Sequence, residues 1–515
     1  MLKKYILISI FSFLFGIAYT TAWHLEQTNQ LSFSFIQLLI ASTFCMIILT
    51  LADKIIKQIP QATKIYVKID RKLWILLFII LLISYTLCFF CFFPGVGMND
   101  GLNILYWGFG TADQFPVFYC AFIVLLTKIG KLFGTLQISI ALYSICQIVV
   151  VCGISSWMIA WLWSKPVTKY LKYSALLYYT LEPLFAMYSI SMLKDTLFSL
   201  LLTFLMILVY ELIHNNSWVN EGRSFWLIFC ATLIGIIFIR NNGSFIIIPF
   251  LVILFFFMAE YRKNILRVAV AVMIGIIINS LPLRLAHHEP LFQEKAGIPL
   301  QQISAVIAND GTITTDQANF INHLMPLDDI KKLYNPASVD PIKWNHELFN
   351  SQYLNAHKKE FLITWAQLLP ANFSTYVKAY LQQTFWFWAP LQKGTTQCFY
   401  SIETYADNQW LIDFVKESGI HDQPLFPQNI DQLFKKYYRL SSHFFREGVL
   451  FWFMLASALL LTLKQKNKST ILLYLPAILL WLTLMISTPV NSSLRYVFVF
   501  VYSLPFYIGF LLMHD

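Results

Sequence analysis

Charge is scarce in this chain. Only 12% of its 515 residues are Asp, Glu, Lys or Arg, where a soluble protein carries about a quarter. Cysteine is sparse and misplaced for a disulfide framework. Seven of the eight lie in apolar segments, Cys88 and Cys91 among them, and only Cys398 lies in a polar region. A CxxC pair inside an apolar helix reads as two small buried residues. There is no repeat of fixed period and no low-complexity segment. In place of charge stand 58% hydrophobic and 17% aromatic residues, with a mean hydropathy of +0.62. Disordered, collagen-like and small disulfide-stapled classes are excluded. A large soluble enzyme is excluded as well, because apolar stretches of about 18 to 25 residues recur, matching the ~20 helical residues that cross a ~30 Å hydrocarbon core.

Apolar runs predict spans near 5–22, 33–52, 73–93, 135–163, 173–190, 196–213, 225–241, 244–259, 266–286, 445–463, 470–488 and 495–513. The first resembles a signal peptide behind Lys3 and Lys4, but with so many spans following it reads as an uncleaved helix. Basic residues in short loops set the orientation. Lys54, Lys57, Lys64, Lys68, Arg71 and Lys72 fill one loop. Alternate loops carry Lys165, Lys169 and Lys172, then Arg223, then Arg262, Lys263 and Arg267, then Lys464, Lys466 and Lys468. All fall on one side if 116–131, which is short and holds Lys128 and Lys131, is an interfacial helix rather than a span.

The expected fold is therefore an all-α polytopic membrane protein of about twelve spans. Residues 1–286 hold nine of them, with an outer loop at 94–134. Residues 287–444 form a mostly α extracytoplasmic region, and 445–515 hold three more spans. Both termini are expected in the cytoplasm. The aromatic segment 384–391 should lie at the membrane interface or pack on the bundle. The net charge of +10 divides unevenly: segments expected in the cytoplasm hold 18 basic and 6 acidic residues, the remainder 19 and 21. The surplus reports orientation and gives no reason to expect a nucleic-acid partner.

Ionisable residues at span ends are costly in lipid and mark candidate sites. Asp100 and Asp113 lie in the loop after the third span, beyond Pro94, Gly95 and Gly97. A partly desolvated carboxylate there could take a proton from a bound hydroxyl. Asp100 could equally cap a helix starting at Gly101, and the two roles are compatible. Lys194 and Asp195 open the sixth span, either as a snorkelling amine and a cap or as a cation facing an anionic ligand. Glu182 precedes Pro183 in the fifth span and could pair with Lys194 or Arg240. In Arg240-Asn241-Asn242-Gly243 the Asn-Gly is a turn signal, while the guanidinium suits a phosphate. Arg495 and Tyr496 open the last span as an interfacial anchor or as part of the site. His287, His288 and Glu289 have no further ligands at metal-site spacing and read as surface residues. Carboxylates on one side and fixed cations on the other suit transfer of a group from a lipid-linked phosphate to a hydroxyl.

The order of these motifs resembles an uncharacterised family of bacterial multi-spanning membrane proteins related to the GT-C fold glycosyltransferases. The likeness is best over about 90–260 and looser over 360–391 and 490–513. Its most specific parts are LEPLFAMYSISMLKDTLFS and the Arg-Asn-Asn-Gly turn. The resemblance implies a GT-C-like core in a bacterial cell membrane, and an inverting enzyme using a polyprenyl-phosphate sugar donor on the outer face. The acceptor would be a cell-envelope polymer, glycolipid or protein. It implies Asp100 as the base, with Asp113 as alternative or partner, and Lys194, Arg240 and Arg495 near the donor phosphate. Glu182, Asp195, Asn241 and Tyr496 would support them. No cofactor is named by these motifs, and a divalent metal is compatible with them. Phe115-Pro116 stands where that family tends to have His-Pro, and Asn103-Ile104 where it tends to have a Gln. A transporter or flippase of lipid-linked sugars would place such groups near the midplane, in inverted repeats. A non-catalytic accessory would keep the motifs without a convergent cavity.

Overall fold

The protein is described from a computed structural model over residues 2–59, 69–112, 114–214, 217–285, 292–390, 392–393, 398, 409–465, 468–488 and 490–513. It is all-helical, and among these residues only isolated β-bridges interrupt the helices. The N-terminal half runs α1 (Leu2–Thr28), α2 (Phe35–Gln58), α3 (Arg71–Cys91), α4 (Asn99–Trp107), α5 (Val117–Leu132), α6 (Leu136–Ser164), α7 (Lys169–Leu181), α8 (Pro183–Ile190), α9 (Lys194–Ile213), α10 (Ser217–Glu221), α11 (Arg223–Ile239), α12 (Gly243–Phe257) and α13 (Arg262–Leu285).

Eight helical segments among the described residues are long and apolar enough to cross a membrane: α1, α2, α3, α6, α9, 259–281, Glu447–Gln465 and 494–512. The chain is a membrane protein by this measure. The other four expected spans are shorter. They are α11, α12, Leu475–Ser487 and the pair α7–α8. That pair breaks at Glu182-Pro183, because proline removes an amide donor and pushes the preceding residue out of helical geometry. Glu182 is extended there, and its carboxylate accepts from the Leu184 amide as the N-cap of α8.

Buried and exposed helices differ in pattern. α9 is apolar all round and buried along almost its whole length, from Phe198 to Leu212. A helix without a polar face belongs at the centre of a bundle. It packs on α6, α11 and the last segment, 494–512. α1 and α2 pack chiefly on each other and present Phe13, Ile36, Phe44 and Leu51 outward, as a lipid-facing surface would.

The long polar stretch contains two structural parts. Residues 292–383 build a small core of their own around Leu300, Ile303, Phe320, Phe361 and Tyr376. Residues 409–442 lie over the bundle instead: Leu411 and Val415 share a core with Leu102, and the Leu425 amide donates to the Phe90 carbonyl. The aromatic segment Phe385–Trp388 packs against helix Glu447–Gln465. Its Trp388 and Phe387 carbonyls accept from the indoles of Trp452 and Trp481, each at 2.8 Å.

Candidate functional site

The site is assembled where α8 ends and α9 begins. Residues 191–193 between them are extended, so the last carbonyls of α8 need outside partners. Gln147 of α6 supplies most of them: its side-chain amide donates to the carbonyls of Tyr188, Ser189 and Ser191 at 2.9, 3.0 and 2.9 Å. The Ser144 hydroxyl donates to the Ile190 carbonyl at 3.0 Å. The 94–98 segment is held to the same break, with Val96 donating to Ile190 and accepting from Met192. Gly95 there has φ of +120°, and a side chain would run into Ser144. Gly101 lets α4 approach closely, since a Cβ would lie 2.6 Å from that of Met192. These contacts bring the first turn of α4 against the first turn of α9.

Asp100 does not cap a helix: α4 starts at Asn99 behind Met98, and Asp100 lies in its first turn. Its carboxylate meets the Lys194 ammonium at 2.6 Å and the Arg495 guanidinium at 3.7 Å. Asp195, the next residue along α9, faces Arg240 at 2.6 Å, with side chains only 2% and 11% exposed. Arg240 lies over the rings of Phe198 and Tyr496, and Arg495 donates to the Tyr496 hydroxyl at 3.1 Å. Two carboxylates and three cations from four separated stretches of chain thus gather in one cluster, in which Lys194–Asp100–Arg495 and Asp195–Arg240 adjoin through Tyr496. Phe115, one of the positions where the sequence departs from the resembling family, stacks beneath the Lys194 ammonium at 4.2 Å. The departure therefore falls within the site.

Two other expected groups lie elsewhere. Glu182 pairs with neither Lys194 nor Arg240; it accepts from the Ser441 hydroxyl. Asn241 is a turn tether, donating to the Gln114 carbonyl at 2.9 Å. Asp113 and the 287–289 triplet lie outside the described residues. Among those described, no three His, Cys, Asp or Glu side chains group as metal ligands would. Gly243 has a packing role: a methyl there would stand 2.6 Å from the Ile236 carbonyl oxygen. Gly243→Ala is expected to destabilise the protein by about 1–3 kcal/mol, read as a lower unfolding midpoint in detergent. An unchanged midpoint would show that this close approach is not required.

Burial by itself would raise the Asp100 carboxyl, but Lys194, Arg495 and Arg240 outweigh it and hold the group well below the usual carboxylate range. A depressed carboxyl stabilises the fold above its unfolded value of about 3.9. That contribution is lost only as pH falls through the folded value. The stability difference between wild type and Asp100→Asn is accordingly expected to stay level from pH 7 to about 4 and to close below. A difference that closes between pH 7 and 5 would contradict this ion pairing.

Two groups not anticipated from the sequence adjoin the cluster. The buried hydroxyls of Tyr119 and Tyr143 meet at 3.2 Å, and Tyr143 donates to the Gln147 side-chain oxygen at 2.9 Å. Both tyrosines lie in the field of Asp100 and Asp195. They also line an apolar cavity of about 300 Å³ with Phe118, Phe122, Leu197 and Phe238, whose rim at Phe118, Phe122 and Val150 is exposed. The legible signal was a polar pair four residues apart, Tyr143 and Gln147, inside an apolar span. Glu447, at the start of its helix, is a further buried carboxylate.

The profile of a family of unknown function, DUF6020, matches residues 111–514. The chain belongs to the DUF6020 family. The match takes in Lys194, Asp195, Arg240 and Arg495 and begins after Asp100. No curated protein and no solved structure matches. Within this DUF6020 member, the ion-paired cluster is therefore read from its own geometry.

Proposed function

We propose that the protein is an inverting glycosyltransferase of the GT-C type. It would transfer a sugar from a polyprenyl-phosphate donor to a hydroxyl of a cell-envelope acceptor at the outer face of a bacterial membrane. The observation that carries this reading is the convergence of Lys194, Arg240 and Arg495 on two carboxylates, beside an apolar cavity with an exposed rim. Three cations against two carboxylates leave the ion-paired cluster with one positive charge, which a phosphodiester anion would balance.

The reading carries a topology of twelve crossings. Residues 287–444 then lie on the outer side with the cluster, and the basic loops lie in the cytoplasm. α11 and α12 have 17 and 15 residues, so they rise only ~22–25 Å against a ~30 Å core. With Arg223 and Arg262 at the cytoplasmic surface, the Arg240 turn falls several ångströms short of the outer one. A shallow depression of this kind suits a headgroup whose chain stays in lipid, and the Tyr119–Phe122 cavity would take the first part of that chain.

In the resting cluster Asp100 is a poor base, because two cations hold its charge. A donor phosphate competes for the same cations. As Lys194 and Arg495 turn to the phosphate, Asp100 is freed to accept the proton of the acceptor hydroxyl. The acceptor oxygen then bonds to the anomeric carbon from the face opposite the phosphate. The carbon–oxygen bond to phosphate breaks, and the developing charge rests on Lys194 and Arg495.

The test is to supply purified protein with a panel of polyprenyl-phosphate sugars and hydroxyl acceptors. Acceptor-dependent release of polyprenyl phosphate is expected. No release with any donor, together with movement of the lipid-linked sugars across proteoliposomes, would favour a transporter and overturn the reading.

A further inference from the structure

A second cavity lies at the opposite end of α11 from Arg240, about 25 Å away along a helix of this length. Its volume is about 490 Å³, and it is set between α10, the first turns of α11 and the first turns of α13. Its polar rim carries Arg223 and Arg267 with Asn220 and Asn264; its wall is Trp226, Leu227 and Val268. Arg267 is oriented by donating to the Asn264 side-chain oxygen at 3.2 Å, and Asn220 accepts from the Tyr261 hydroxyl at 3.0 Å. Arg262 and Lys263 precede Asn264 in the sequence, and Glu221 and Glu260 are the acidic residues of the same stretches.

The wall does not end at the rim. Leu227, 69% exposed, carries it outward along α11, with Cys230 one turn deeper. In a membrane-spanning helix these are surfaces that meet acyl chains. Two guanidinium groups above an apolar track, with an indole at the boundary, match a molecule with a phosphate head and a hydrocarbon tail. A soluble phosphate ester would use the rim and leave the track empty. Basic pockets between spanning helices are a recurring way of holding anionic lipid headgroups.

We propose that this cavity binds an anionic phospholipid. Arg223 and Arg267 hold its phosphodiester, and one acyl chain lies along Leu227 and Val268. The site does not depend on the chemistry of the glycosyltransferase reading but rests on its topology, in which α11 crosses the membrane and the cavity lies on the other face from the ion-pair cluster.

The experiment uses the full chain in detergent, offered phosphatidylglycerol and phosphatidylcholine in equal amounts, with retained lipid counted by native mass spectrometry. Preferential retention of phosphatidylglycerol is expected. At about 1 kcal/mol per cation near a headgroup, Arg223→Gln/Arg267→Gln should weaken it roughly 30-fold. Lys3→Gln/Lys54→Gln removes the same charge elsewhere and should retain the lipid as wild type does. Millimolar glycerol phosphate should not displace it. Should the arginine variant fail to fold, Leu227→Gln, on the exposed track, should still reduce retention. The proposal is overturned if phosphatidylcholine is retained equally, or if glycerol phosphate displaces the lipid. It is also overturned if a folded arginine variant, or Leu227→Gln, retains phosphatidylglycerol at the wild-type level.

Discussion

Arg240→Met is expected to destabilise the protein by about 3–5 kcal/mol, because it leaves a buried carboxylate without its counter-charge. Asp195 is 2% exposed and faces Arg240 at 2.6 Å. A methionine side chain can still cover the rings of Phe198 and Tyr496 that Arg240 touches, so little packing is lost with the charge. The loss should appear as a marked drop in the unfolding midpoint of the purified protein. Asp195→Asn/Arg240→Met should recover most of it, since the double change removes the orphaned charge as well. A single variant within about 1 kcal/mol of wild type would mean that the pair is reached by water and carries little of the fold.

Asp100→Asn is expected to lower sugar transfer by about 10²–10⁴, the range for loss of a positioned base. The same variant should bind donor at least as tightly as wild type. Asp100 occupies Lys194 and Arg495 in the resting state, so neutralising it frees both for phosphate. The expected signature is a fall in kcat with KM for donor unchanged or lower. A folded Asp100→Asn protein that transfers at the wild-type rate would remove Asp100 as the base. A large rise in donor KM would show that Asp100 helps to hold the donor instead of competing with it.

The two sites differ in how they could be read. Asp100, Lys194, Arg240 and Arg495 announce themselves in sequence because charge beside lipid is costly and stands out against apolar neighbours. Tyr119 does not, since tyrosine is ordinary at span ends, and Tyr143 with Gln147 leaves only a fainter mark, a neutral polar pair four residues apart within a span. The Arg223–Arg267 cavity is hidden for another reason. Each arginine marks a loop by itself, and only the packing of α11 against α13 turns two markers into one rim.

Low charge and recurring apolar runs determined by themselves that this is a helical membrane protein, and span-end charges marked where its polar groups gather. These are local properties, additive along the chain. Partner choice was decided only by the tertiary structure. Lys194 and Asp195 are adjacent, yet successive residues on a helix point about 100° apart. One therefore turns to Asp100 and the other to Arg240. Glu182 turned away to Ser441 because the break at Pro183 aims it there. Which charges meet depends on the depth and rotation of helices far apart in sequence, and hydropathy carries no information about either.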